Sequence, residues 1–182
     1  SKFGSHAFWG CSTIKNIYYQ GRMSDWCEIT FDDEYSTPMF FGNNFYLLDS
    51  NGSVEFYGNK YTEITEITID GNANSINSYA FLGWTNLEKV TIEEGVKRIN
   101  TMAFYGCDKL ALEKLPDTLT EIGTYAFHTC INIIINHLPE TITLIDTYAF
   151  YNREKLQLQE LPSKITKINN YSFYGCDSIT EL

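Results

Sequence analysis

Residues 124–130 read TYAFHTC, which sets His128 two positions before Cys130. A thiolate attacks at neutral pH only when a neighbouring base or cation lowers its pKa, and an imidazole could do so. The pair is therefore the first candidate for nucleophilic chemistry. Other chemistry-bearing stretches are thinner. DDE at 32–34 and DSNG at 49–52 are rich in oxygen donors, yet neither continues into the ligand spacing of a calcium loop. The five cysteines cannot all pair internally, and none forms a CxxC with zinc-like spacing. No cofactor or metal site is expected.

The segments that would hold His128 and Cys130 decide what the pair is. Ala80-Phe81, Ala103-Phe104, Ala126-Phe127 and Ala149-Phe150, with Ser172-Phe173 as a conservative variant, place a Phe every 23 residues. Five residues before each Phe stands Ile76, Ile99, Ile122, Ile145 or Ile168; six residues after it stands Leu87, Leu110, Ile133, Leu156 or Ile179. Three copies share Pro116, Pro139 and Pro162. In this register His128 occupies the column of Leu82, Tyr105, Tyr151 and Tyr174, so no base is kept there. Cys130 shares its column with Trp84, Cys107, Arg153 and Cys176, a column tolerant of very different chemistry. The pair is expected to be structural.

Each copy holds two short apolar pieces, as in LEKVTIEEGVKRI, where Leu87, Val90, Ile92, Val96 and Ile99 point inward. Pieces this short cannot bury a face alone, so coils must stack on one another and the period marks a solenoid. The first pieces (89–92, 112–115, 135–138, 158–161) are expected to align as a parallel sheet, with neighbours about 4.8 Å apart. The corner that follows would turn with Gly83, Gly106 and Gly175 at positive φ.

The pattern Ile-x-x-x-Ala-Phe-x-x-Cys-x-x-Leu, followed by a Leu-Pro step and a second aliphatic piece, resembles the BspA-type (Treponema-type) bacterial leucine-rich repeat. The match runs through residues 64–182 and reaches the N-terminus, where Phe3, Ala7-Phe8, Gly10-Cys11, Ile14, Ile17 and Tyr19 repeat it. The expected architecture is a leucine-rich-repeat solenoid, right-handed, with a parallel sheet on its concave face, 23-residue coils and one remodelled insert region. It is one domain over 1–182: a repeat-like coil at 1–19, divergent aromatic-rich coils at 20–63 and regular repeats at 64–182. Because the chain opens inside one repeat and closes at Leu182 in mid-strand, it is expected to be a segment of a longer array, with weak self-association through its exposed ends.

Phe8 and Phe81 lie 73 residues apart, three periods and four residues, so the register survives through remodelled coils. A short helix capped by Ser24, a turn at STPM, a strand from Phe45 to Leu48 and an Asn51-Gly52 hairpin are expected there. Twelve aromatic residues fall between Tyr18 and Tyr61. They either fill a coil that lacks the usual Phe corner, or leave a platform for sugar, with Trp26, Tyr35 and Tyr57 as the candidate rings.

With 182 residues and 43% hydrophobic content, the chain is long and apolar enough for a sizeable core. Its net charge of −10, without a basic stripe, argues against nucleic acid or an anionic membrane as partner. No apolar run reaches the length of a membrane span, so no membrane insertion of this segment is expected. Four cysteines, Cys11, Cys107, Cys130 and Cys176, share one column and should be buried thiols, although a Cys107–Cys130 disulfide is geometrically conceivable between stacked coils.

The leading expectation is a non-catalytic interaction scaffold. Its candidate partner-binding residues are Lys89, Thr91, Glu113, Lys114, Asn136, His137, Gln159 and Glu160, which face outward between the inward aliphatics. The family resemblance implies adhesion to host or other extracellular proteins, at the bacterial cell surface or after secretion. The alternative is a carbohydrate-binding module using the aromatic coil.

Overall fold

The computed structural model describes residues 1–40, 44–47 and 64–182. In chain order its elements are β1 (Lys2–Phe3), β2 (Asn16–Tyr19), α1 (Met23–Cys27), β3 (Thr30–Phe31), two 3-10 turns (Glu34–Ser36 and Pro38–Phe40), β4 (Asn44–Leu47), β5 (Glu66–Ile69), β6 (Ser75–Ile76), β7 (Lys89–Ile92), β8 (Arg98–Ile99), β9 (Glu121–Ile122), β10 (Leu144–Ile145) and β11 (Lys167–Ile168). Among the described residues every strand pair is parallel. In the regular region Ile76, Ile99, Ile122, Ile145 and Ile168 lie side by side, each paired with its repeat equivalent.

The sheet that runs through all regular coils is not the one expected. It is built by the second apolar pieces, in the order β6-β8-β9-β10-β11, with two residues from each coil. Of the first pieces, only β5 and β7 form a ladder. Residues 112–115, 135–138 and 158–161 are not strands. Proline explains the break. The amide of Glu93, just past β7, donates to the Ile69 carbonyl at 3.0 Å. The equivalent positions in the next coils are Pro116, Pro139 and Pro162, which have no N–H to give. Single bonds still tie those pieces together, such as Ala111 N–H to the Glu88 carbonyl at 2.9 Å and Ile134 N–H to the Leu112 carbonyl at 3.1 Å.

The Phe corners form the spine. Phe81, Phe104, Phe127 and Phe150 are fully buried and stack ring on ring, 5.0, 5.6 and 5.3 Å apart, with Phe173 continuing the column at 5.5 Å. Burial of each ring contributes about 1.5–3 kcal/mol, and offset stacking adds to it. Backbone bonds cross the coils at the same place: Phe81 N–H reaches the Ala103 carbonyl at 2.8 Å, and Phe104 N–H that of Ala126 at 2.9 Å. Two residues after each ring the backbone takes positive φ, as expected at Gly83, Gly106 and Gly175. Thr129 (φ 67°) and Asn152 (φ 56°) take the same conformation without being glycine. Two residues before each ring, Tyr79, Met102, Tyr125, Tyr148 and Tyr171 are also left-handed. Bonds to the next coil, such as Tyr125 N–H to the Thr147 carbonyl at 3.0 Å, hold them there.

The N-terminal coils keep the parallel stacking with a longer step. Lys2 pairs with Thr30 and Asn16 with Asn44. The turn at STPM is drawn into the two 3-10 turns, the first capped by Asp33, whose carboxylate accepts the Tyr35 N–H at 3.0 Å. The helix cap is Arg22 rather than Ser24. Ser24 is buried instead and donates to the Asp70 carboxylate at 2.9 Å, tying α1 to the end of β5. Strand β4 spans Asn44–Leu47, and the Asn51-Gly52 hairpin falls outside the described residues. Trp26 is the plug of this region: its ring lies 4.8 Å from Phe45, 5.6 Å from Phe31 and 6.2 Å from Trp84. Its indole N–H donates to the Ala80 carbonyl at 2.7 Å, which joins the divergent coils to the first regular corner.

Candidate functional site

His128 and Cys130 do not form a catalytic pair. Cys130 is fully buried and its Sγ donates to the Phe104 carbonyl at 3.0 Å. Cys107 and Cys176 make the same bond to Phe81 and Phe150, at 3.2 and 3.0 Å. The column is thus a repeated thiol-to-carbonyl rung, and burial pushes the Cys107 thiol well above the usual range. All five cysteines are free, and Cys11 is half-buried where full burial was expected. His128 stacks between Tyr105 and Tyr151, 5.0 and 5.6 Å away. Its pKa is lowered by burial and secondarily by the Arg153 charge, so the ring favours the neutral form. Arg153 takes the thiol position of its coil, is buried, and donates from Nε to the Tyr151 carbonyl at 2.8 Å.

Of the two readings of the aromatic coil, Trp26 follows the one in which the rings fill the core. Trp26 is only 2% exposed, with its N–H already bonded, so it presents no ring face to a sugar. Tyr35 is half-buried against Trp9 and Phe40, 4.3 and 4.9 Å away, and Tyr57 lies outside the described residues. Among the described residues, the large exposed rings of this region are Trp9, Tyr18 and Phe40.

The outward face of the first apolar pieces is different in character. Val90, Ile92, Leu112, Leu115, Ile135, Leu138 and Leu158 are buried beneath it. Strand alternation in β7 therefore turns Lys89 and Thr91 outward, and the coils that follow present Glu113, Lys114, Asn136, His137, Gln159 and Glu160. All eight candidates are exposed. Two shallow depressions, about 470 and 480 Å³, run along this face and share Glu113, Lys114 and Leu115. The first is lined by Lys89 and Thr91 and by four glutamates, Glu66, Glu88, Glu94 and Glu113; the second adds Asn136 and His137. Gln159 and Glu160 lie outside both, although His137 Nδ1 approaches Glu160 Oε1 at 3.6 Å.

The sequence reading missed one set of rungs beside this face. The Glu94 carboxylate accepts the backbone N–H groups of Asp117 and Thr118, both at 3.0 Å, and the bond from Asp117 lowers its pKa most. Glu140 holds Ser163 in the same way, through its hydroxyl at 2.7 Å and its N–H at 3.0 Å. These carboxylates brace the turns between coils, one repeat onward. Their signal in the sequence was an acidic residue recurring one position after the Glu93 and Pro139 column. Among the described residues no group of His, Cys, Asp or Glu could hold a metal ion, and no helix is long and apolar enough to cross a membrane.

A family model described as BspA type leucine rich repeat region matches residues 52–180 in six copies. Among solved structures the chain is similar to a leucine rich repeat protein of T. pallidum, with a TM-score of 0.58 and 28% identity. That likeness covers 63% of this chain and 56% of that one. A leucine-rich repeat protein of Bacteroides ovatus is similar at a TM-score of 0.56 and 30% identity, over 69% of this chain and 36% of that one. A leucine-rich repeat protein of Eubacterium ventriosum covers 100% of this chain and 63% of its own, at a TM-score of 0.50 and 18% identity, a likeness of fold alone. The chain thus spans less than two thirds of each of these structures. No curated protein matches it.

Proposed function

The chain belongs to the BspA-type leucine-rich repeat family, whose repeats serve as interaction scaffolds, and from that premise we propose that it is a non-catalytic adhesion module for an extracellular or host protein, displayed at the bacterial cell surface or secreted. The observation that carries the reading is the pair of joined depressions on the first-piece face, lined by Lys89, Thr91, Glu113, Lys114, Asn136 and His137. A braced apolar underlayer makes that face stiff, so a partner does not have to order it on binding. Its side chains differ from coil to coil, which suits an irregular protein surface better than a periodic polymer.

The test is capture of a partner from host extracellular extract, followed by binding of the purified partner to variants. Glu113→Lys combined with Asn136→Glu places wrong charges in both depressions and should weaken binding roughly tenfold or more. Lys155→Ala, away from the depressions, should leave it unchanged. Equal binding by wild type and the double variant would overturn the assignment of this face.

A further inference from the structure

A third concavity, about 460 Å³, lies away from the first-piece face, where the divergent coils meet the regular corners. Its walls come from two sources. The 3-10 turns supply Glu34, Tyr35 and Phe40, and the regular corners supply Leu82, Met102, Tyr105 and Asp108. Tyr35 and Phe40 stand nearly at right angles, 4.9 Å apart with an interplanar angle of 70°. Tyr105 is fixed from behind by stacking on His128 at 5.0 Å. The groove therefore has rigid aromatic walls, and its size falls within the range of natural ligand sites.

Charge selects the occupant. Among the described residues no lysine, arginine or histidine lines the groove, whereas two carboxylates do. Among the described residues neither Glu34 nor Asp108 enters a direct ion pair, Asp108 acting only at a distance on the buried Arg153, whereas Lys2, His6, Arg22, Arg98 and His137 each find an acidic partner elsewhere. Aromatic faces attract cations through their quadrupole, and arginine, planar and weakly hydrated, can stack on a ring while a carboxylate takes its N–H groups. The half-buried Met102 side chain offers apolar surface to the aliphatic stem.

We propose that this groove is an arginine-binding pocket, receiving a guanidinium side chain from a loop of a protein partner between Tyr35, Phe40 and Tyr105, with Glu34 and Asp108 as its counter-charges. The site stands apart from the first-piece face and does not depend on that face being the adhesive one.

The probe is the capped tripeptide Gly-Arg-Gly, compared with its citrulline counterpart, which keeps the shape and loses the charge. Binding to the whole chain is followed by NMR shift perturbation and by Trp9 fluorescence, since Trp9 is exposed and packs 4.3 Å from Tyr35. The arginine peptide should bind saturably and shift the resonances of groove residues, and the citrulline peptide should bind at least several-fold more weakly. Glu34→Gln with Asp108→Asn, both isosteric, should weaken the arginine peptide about three- to tenfold with an unchanged thermal midpoint. Glu113→Lys on the other face should leave peptide binding unaltered, so failure of one site is not mistaken for failure of the other. No binding, equal affinity for the two peptides, or full affinity in the isosteric double variant would overturn the proposal.

Discussion

The regular coils and the divergent N-terminal coils solve one packing problem by different means. From Phe81 to Phe173 the core is filled by repetition: one ring, one small residue and one thiol or its substitute recur in every coil, and each ring stacks on its own equivalent. Among the described residues of the N-terminal coils repetition is limited to a 28-residue step that stacks Phe3 on Phe31 and Tyr18 on Tyr46. A single large ring, Trp26, meets Tyr19, Phe31, Phe45 and Trp84 at different angles, and its N–H is satisfied by the first regular corner. Repetition distributes stability over many equal contacts, whereas the divergent region concentrates it in one residue. The contrast also locates the arginine groove, since a concavity with unlike walls arises only where unlike coils meet.

The largest expected effects test whether the two regions form one cooperative unit. Phe127→Ala removes a ring packed between Phe104 and Phe150, and should cost about 3–5 kcal/mol in denaturant unfolding. Trp26→Ala should cost a similar 3–5 kcal/mol and shift the transition of the whole chain. If Trp26→Ala left the main transition in place and only added an early, small one, the divergent coils would be an independently melting unit and the comparison would be broken.

Much of this architecture was legible in the sequence, because a period needs no knowledge of contacts. The Phe spacing places the corners, and the column of His128, shared with Leu82, Tyr105, Tyr151 and Tyr174, keeps no base. What escaped was set by groups whose effect is an absence or a unique contact. Pro116, Pro139 and Pro162 were visible, yet the sheet moves to the second apolar pieces because these residues lack a donor, and no side-chain pattern announces that. Trp26 could be placed among the aromatics but not inside them, since its partners lie far along the chain and only folding brings Ala80 to its N–H. The candidate face was legible as a set of exposed residues, whereas its depressions and the Glu94 and Glu140 braces depend on neighbouring coils.

Smaller changes sharpen the account of the regular coils. Thr129 holds a left-handed φ in a column otherwise occupied by Gly or Asn, and its hydroxyl is buried without a partner. A β-branched residue is poorly suited to that conformation, so Thr129→Gly should stabilise the chain by about 0.5–1 kcal/mol after the entropy of the added glycine is subtracted. A lower thermal midpoint would show that packing around the methyl outweighs the backbone. Pro116→Glu restores the residue type found at Glu93 and returns a donor opposite the Ile92 carbonyl. Stability should change by less than about 1 kcal/mol, because the gained bond and the lost chain stiffness oppose each other. The new amide should nevertheless be protected from hydrogen exchange, and rapid exchange there would remove proline as the reason the first-piece ladder stops at β7.

The smallest expected effect concerns the residue that first suggested catalysis. His128 sits in a column whose other aromatic members are tyrosines, and its ring is stacked on both faces beside the buried Arg153. Burial, aided by that cation, lowers its pKa from 6.5, so the unfolded chain binds a proton more readily than the folded one. Stability from this group is therefore fully present above the unfolded value of 6.5 and is progressively lost as the pH falls below it, until the folded pKa is reached. His128→Tyr restores the column and removes the titrating group. At pH 7.5 the variant should unfold close to wild type, and between pH 6.5 and 5 it should resist unfolding better, with the difference growing as the pH falls. An NMR titration of the wild-type ring should give a midpoint below the ordinary imidazole value. A midpoint at or above it, with parallel pH profiles for the two chains, would mean that His128 stands in water and that the tyrosine ladder is open at this coil.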